Sequence, residues 1–504
     1  MKAVGYPVRT ILHIGVFASL LLVCLWPAIL SGYPLFGTDT LSYIRYVDIG
    51  VTKVTGHKSD WATPAIAVTP VAPQASPKTT GDADVRAPFA GRSIYYGALL
   101  ELGVIGGSMW VSIAVQAAAL MLAIALILHS TVGYDRLAFT GLIIALSLTT
   151  PVAIYVSFLS PDLFAGLTIL AVAALLVYGE RMSRGVLLAW IGLLCSALLF
   201  HSSHVLIAMA ALGSYLMVRF LFRVPASLKG LIALAFCLVI AFTGEAMFTL
   251  AVTKMFGVSP IRPPFLTARL LADGPGAAFL RDSSPQSGFI ACHFVDTLPV
   301  ATAGDFLWSS DPKIGVFTPA DPATRRALAD EQYHFAYAVL RYDPAGVAVA
   351  ALHNTLVQFG MLRVNEFNLS ESDRDALSHS VPPSHLRVLE ETRSWANALP
   401  LGLLSAIVLV VVLGSMVYVL GALILPNQRS DRDHDLRRLA GVIIFGIVVN
   451  AFVCGAMSEP FDRYGARVIW LIPLLAALMC RRRWLRRIER HPTTSARAES
   501  VEPS

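Results

Sequence analysis

Long apolar blocks alternate with short polar connections along most of the chain, and the blocks have the length of membrane helices. Apolar runs at 11–30, 109–128, 137–159 and 399–425 each approach or exceed the ~20 residues that cross a hydrocarbon core. Shorter runs at 163–178, 186–200, 205–222, 231–252, 439–457 and 468–480 bring the expectation to about ten spans. Helix is the expected form, because it satisfies every backbone polar group within its own segment. The stretch 186–222 holds two helices only around a tight turn. That turn falls at His201-Ser202-Ser203-His204, where the serines can cap the second helix.

Two polar segments interrupt the pattern. The first, 31–108, includes a Pro/Ala/Thr/Ser-rich stretch at 51–91 that reads as flexible. The second, 256–397, is long enough for a small domain. Within it, Asp321-Pro322 and Asp343-Pro344 each read as an N-cap followed by proline. The helices they open, 323–341 and 345–360, are expected to lie along the membrane surface or cover a site. The predicted class is an all-α multi-pass membrane protein with outer-face surface helices and a mainly helical outer loop domain. Its parts are an N-terminal membrane region (1–255, seven spans), the outer loop domain (256–397), a C-terminal membrane region (398–480, three spans) and a basic tail (481–504).

Composition agrees. Of 504 residues 56% are hydrophobic and 14% charged, against about 25% charged in soluble domains. The net charge of +6 does not point to nucleic acid, because the basic residues sit at span ends, where membrane topology accounts for them. Six cysteines are scattered, most of them in or beside apolar runs, with neither a disulfide framework nor zinc-ligand spacing. The first apolar run, behind Lys2 and Arg9, exceeds the ~7–15 residues of a signal-peptide core and lacks a small-x-small site after Leu30. It reads as an uncleaved first span.

The positive charges orient the frame. Arg136, Arg181 and Arg184, then Arg219, Arg223 and Lys229, then Arg429, Arg432, Arg437 and Arg438, and finally the tail from Arg481, all fall on one side at every second crossing. Short loops rich in Lys and Arg stay cytoplasmic. Both termini are therefore expected in the cytoplasm, with 31–108 and 256–397 on the opposite face of a plasma (inner) membrane. The Ala-, Arg- and Leu-rich composition hints at a bacterial source, which would make that face periplasmic.

Polar residues that topology does not require gather on the outer side. Asp39 closely follows the first span, Asp162 opens the fourth, His201 and His204 form the third outer turn, and Glu459, Asp462, Arg463, Tyr464 and Arg467 crowd the start of the last. Glu245 lies within the seventh span, and an ionisable group at that depth is a functional candidate by default. Each has a plainer reading. Thr38-Asp39-Thr40 is good capping chemistry, Tyr43, Tyr46 and Arg463-Tyr464 suit an interfacial belt, and Glu245 can bond a neighbouring helix. His201-x-x-His204 has helical spacing for two metal ligands, which is too few without partners.

The first loop, with Asp39, Tyr43, Arg45 and Tyr46, returns through Arg86-Ala87-Pro88-Phe89 and Gly91-Arg92-Ser93-Ile94-Tyr95-Tyr96, and Asp462-Arg463-Tyr464 opens the last span. This pattern resembles the GT-C class of membrane glycosyltransferases. The resemblance implies transfer of a sugar from a polyprenyl-phosphate donor to a lipid, glycan or protein acceptor on the outer face. Asp39 would be the general base and the carboxylate of the first loop. Arg92 and Arg463 would hold phosphate, with His204, Tyr464, Tyr43 and Glu245 as further substrate-binding candidates. No cofactor and no obligatory metal are expected; membrane lipids are the remaining partners. Many members carry a second acid where Thr40 follows Asp39 here, and Gly91-Arg92-Ser93-Ile94-Tyr95 replaces their Arg-Pro-Pro-x-Tyr. Three rival readings stand beside this one: a flippase or transporter of lipid-linked saccharide; a polymerase or ligase using Arg262, Arg269, Arg281, Arg325 and Arg326 of the second loop; and a non-catalytic envelope assembly protein.

Overall fold

The computed structural model describes residues 5–56, 59–62, 92–223, 227–424 and 430–490. Lys2, Arg429, the return segment at 86–89 with Gly91, most of the Pro/Ala/Thr/Ser-rich stretch and the tail beyond 490 lie outside them. Among the described residues the protein is all-α, with one isolated parallel bridge, between Leu35 and Phe158.

The first apolar run forms α1 (Gly5–Cys24) and a short α2 (Trp26–Ser31). They part at Leu25 because Pro27 enters the second helix at its start and has no N–H to continue the first. The first polar segment contributes α3 (Thr38–Thr55) and α4 (Ile94–Ile105), which pack closely: a Cβ on Gly97 would meet the Val47 side chain at 2.5 Å. Next come α5 (Trp110–Thr131), then α6 (Arg136–Thr149) and α7 (Val152–Ser157), which split the run expected at 137–159 at Thr150-Pro151. They are followed by α8 (Leu163–Tyr178), α9 (Arg184–Phe200), α10 (Ser202–Phe222) and α11 (Leu228–Phe256). The turn between α9 and α10 falls where the sequence places it. His201 rather than a serine is its cap, its Nδ1 accepting from the Ser203 N–H at 3.1 Å.

The second polar segment folds into α12 (Phe265–Ala272), α13 (Pro275–Ser283), α14 (Ala303–Trp308), α15 (Pro322–Tyr342), α16 (Pro344–Gly360), α17 (Glu371–Ser380) and α18 (Pro383–Glu390). Asp321 and Asp343 do cap α15 and α16 through backbone N–H groups of the first turn. The chain closes with α19 (Leu401–Ile424), α20 (Asp431–Met457), α21 (Asp462–Ile469) and α22 (Leu471–Arg490).

Among the described residues seven segments are long and apolar enough to cross a membrane: Trp110–Thr131, Leu163–Arg181, Ser202–Leu221, Leu228–Met255, Leu401–Ile424, Asp431–Met457 and Asp462–Ile488. Shorter apolar helices occur at Gly15–Cys24, Ile94–Ile105, Arg136–Thr149 and Arg184–Phe200. Large side chains such as Phe220, Val410, Val417 and Ile424 stand exposed on these helices. In a water-soluble protein such surfaces would drive association; in hydrocarbon they are the expected outer coat.

Two apolar cores form. The larger runs through the membrane helices, with the almost wholly buried α8 at its centre, and takes in residues of α17 and α18 such as Leu377 and Leu389. The smaller is built from Ile261 to Val339 around Phe306, Phe317 and Phe335. That second unit is seated on the α20–α21 connection, where the Gly304 N–H donates to Glu459 (2.8 Å) and Arg269 donates to the Ser458 carbonyl (3.5 Å).

Candidate functional site

Four separated parts of the sequence meet at one end of α8: the start of α3, Arg92 ahead of α4, the α7–α8 linker and α21. The linker before α3 is stitched to the α7–α8 linker by the Leu35 bridge: Leu35 N–H donates to the Ser157 carbonyl and Leu159 N–H to that of Leu35 (2.9 and 3.0 Å). Thr40 Oγ1 adds a bond to the Leu159 carbonyl at 3.0 Å and accepts from the Gly37 N–H at 3.1 Å. Gly37 is thus the N-cap of α3, and Asp39 sits in its first turn rather than at the cap. Freed from capping, the Asp39 carboxylate pairs with Arg92 through Oδ1 and with Arg463 Nη2 through Oδ2 at 3.5 Å.

A second carboxylate lies beneath. Asp162 Oδ1 accepts from Arg467 Nη1 at 2.9 Å, while Oδ2 accepts from Ser160 Oγ at 2.5 Å and faces Arg463 Nε at 3.7 Å. Arg463 therefore bridges the two acids. Exposure separates them: the Asp39 side chain is 26% exposed and that of Asp162 only 5%. The upper carboxylate can meet a ligand, whereas the lower one is a fixed counter-charge. Burial would raise the Asp39 carboxyl, but the Arg92 and Arg463 charges outweigh it and hold the group below the ordinary carboxylate value. Asp162 is likewise held low against its burial, by Arg463 and Arg467. Three guanidinium groups face these two carboxylates, and Glu366 stands as a third acid beside Arg463.

The backbone that presents Arg463 is tied down group by group. The Gln358 amide bonds both sides of Phe461, its Oε1 accepting from N–H at 2.9 Å and its Nε2 donating to the carbonyl at 2.8 Å. Glu366 accepts from the Arg463 N–H (3.1 Å), Tyr155 OH donates to the Arg463 carbonyl (2.9 Å), and Asn450 Nδ2 donates to the Tyr464 carbonyl (2.8 Å). Asn450 also accepts from Arg467 at 3.1 Å.

No family model, curated protein sequence or solved structure matches this chain.

The remaining candidates are placed unequally. The Tyr43 ring lies under the Arg92 guanidinium at 5.8 Å and meets Tyr96 edge-on at 5.0 Å. Tyr464 lies under Arg463 and Arg467 at 5.4 and 4.8 Å, so its ring faces two cations instead of an interfacial belt. His204 is fully buried. Its Nδ1–H donates to the Ala197 carbonyl at 2.7 Å, which leaves Nε2 an acceptor without a protein partner, and Arg467 Nε is similarly unpaired. Glu245 stands apart from the cluster in a half-exposed pair with Arg262 at 2.5 Å. Arg269 is committed to Asp273, Arg325 to the Ala320 carbonyl and Arg326 to Ser259. These arginines brace the second unit. Among the described residues no group of three or more His, Cys, Asp or Glu could hold a metal ion.

Proposed function

We propose that the protein is a membrane glycosyltransferase of GT-C type that uses a polyprenyl-phosphate-linked sugar on the outer face. One observation carries the reading: a partly exposed carboxylate, Asp39, stands between the partly exposed Arg92 and Arg463, above the buried Asp162–Arg467 pair. Phosphate is the ligand that two converging guanidinium groups favour, since they give it paired, charge-assisted hydrogen bonds. The lipid tail of the donor stays in the bilayer, and no nucleotide pocket is required.

In the proposed step the acceptor hydroxyl oxygen forms a bond to the anomeric carbon. The bond from that carbon to the carrier phosphate breaks, and the phosphate leaves with the electron pair. Asp39 takes the hydroxyl proton, while Arg92 and Arg463 neutralise the departing phosphate. A carboxylate clamped by two arginines is a weak base. Donor phosphate competes for the same arginines, so binding it loosens the clamp and raises the basicity of Asp39 when the acceptor is present. Arg467 and Asp162 keep the floor of the site fixed.

The membrane frame belongs to the same proposal. On this reading α1–α2, α6–α7 and α9 cross beside the seven long apolar helices, for ten spans in all, and the basic connections argue for both termini on the cytoplasmic side of the inner membrane. The test is lipid and glycan analysis of a strain lacking the protein, with and without the Asp39→Asn variant. The expected result is a polyprenyl-linked sugar that accumulates, beside an under-modified acceptor, in both. An unchanged lipid-linked sugar pool would remove the transfer reading.

A further inference from the structure

Helix α16 is inside out. Its amides Asn354 and Gln358 point inward, with Gln358 0% exposed, whereas Leu352 and Leu356 point outward at 61% and 64% exposed, in line with Val349 and Phe359; His353 is the one exposed histidine on that outward side. A helix seated on a protein in water buries its apolar stripe and shows its polar one. The reverse arrangement is favourable only where the surroundings are hydrocarbon, because the inward amides are then satisfied by protein and the outward side chains by lipid. Gln358 bonds Phe461, and Asn354 Nδ2 donates to Asp273 at 2.9 Å. From Pro344 to Gly360 there is no Asp, Glu, Lys or Arg.

The inner face is packed tightly on α20, a membrane-crossing candidate: a Cβ on Gly455 would stand 2.5 Å from the Asn354 carbonyl oxygen. Both ends of α16 nevertheless connect to the same side of the molecule. Its N-terminus continues from α15, in the unit seated on Ser458 and Glu459. Its C-terminus leads to Arg363, whose N–H donates to Asp462 at 2.9 Å, at the start of α21. Seventeen residues span about 25 Å, short of the ~30 Å hydrocarbon core, so geometry and connection agree that α16 does not cross.

We infer that α16 is a non-spanning helix immersed in one leaflet, its Val349–Leu352–Leu356–Phe359 face covered by the acyl chains of bilayer lipids. The inference requires only that the protein be membrane-embedded and is independent of the transfer reaction. Lipid then lies one helix thickness from the backbone that presents Arg463.

The test uses the full chain with its partly or fully exposed cysteines, Cys195, Cys292 and Cys480, changed to serine. A nitroxide is attached to Leu352→Cys, Leu356→Cys or, as a solvent-facing reference, Lys313→Cys. In phosphatidylcholine–phosphatidylglycerol nanodiscs, collision with oxygen should exceed collision with a water-soluble nickel chelate at 352 and 356, and the order should reverse at 313. Nickel accessibility at 352 and 356 equal to that at 313 would overturn the inference in favour of a water-facing helix. Low accessibility to both reagents would overturn it in favour of a covering protein chain, such as a second copy. A label at Val349→Cys repeats the measurement should either leucine variant fail to fold.

Discussion

Asp39 and Asp162 are chemically alike, and their surroundings give them different duties. If Asp39 accepts the proton, Asp39→Asn should keep the fold and lose about 10²–10⁴-fold in transfer rate, measured as release of polyprenyl phosphate from a polyprenyl-phosphate sugar. A rate within twofold of the original would end its role as base. Arg463→Lys should fall between the two, since lysine keeps the charge but loses paired bonding to phosphate. The pH profile gives a further check. Arg92 helps to hold the Asp39 carboxyl low; removing that cation raises the pKa, so Arg92→Gln should move the acidic limb of the rate profile to higher pH. A limb that stays in place would mean that Asp39 is not the group being titrated. For Asp162 the expected loss is of stability. Arg467→Met leaves a buried carboxylate without its closest counter-ion, at a cost of roughly 3–5 kcal/mol, which thermal unfolding in detergent would report. Adding Asp162→Asn should recover much of that loss, because the uncompensated charge is gone.

The elements divide into those the sequence announces and those only packing reveals. Apolar runs such as that of α5 were legible as helices, and so were the Asp-Pro caps of α15 and α16, because both signals are local. The broken helices were not. Pro151 sits within an apolar run, and hydropathy does not register that its ring and missing N–H separate α6 from α7. The twelve residues of α4 were too few to stand out as a span. The charged members of the cluster could be picked out because ionisable residues at span ends are conspicuous. Tyr155, Gln358 and Asn450 could not, since a buried polar group acquires its meaning from the helix opposite. The α16–α20 contact offers a direct test at this scale. Gly455→Val must push the helices apart, which costs about 1–3 kcal/mol and should reduce transfer by displacing Gln358 from Phe461. Gly441→Ala is the matched control on α20, with nothing within 4 Å of its added carbon, and should leave activity unchanged.

For the molecule as a whole, sidedness is the property everything else depends on. In a cysteine-free background, cysteine at Ser310 should react with an impermeant thiol reagent in intact cells, and cysteine at Ser430 should react only after permeabilisation. Both positions are exposed, so a difference reports the membrane and not burial. Reaction at Ser430 in intact cells would invert the frame and move the site to the cytoplasm.

The pairing of Asp162 with Arg467 also has a consequence for how the protein is made. The two residues are 305 positions apart, which at roughly 5–20 residues per second is about 15–60 s of synthesis. Throughout that interval both acids of the cluster have entered the membrane region while two of its three cations have not been translated. The insertion machinery must shelter them until the last span arrives. A chain stopped just before Asp462 is therefore expected to remain with that machinery and be degraded, which pulse-chase labelling would register as a short half-life. Completion of the charge cluster is then what frees the membrane helices from that machinery.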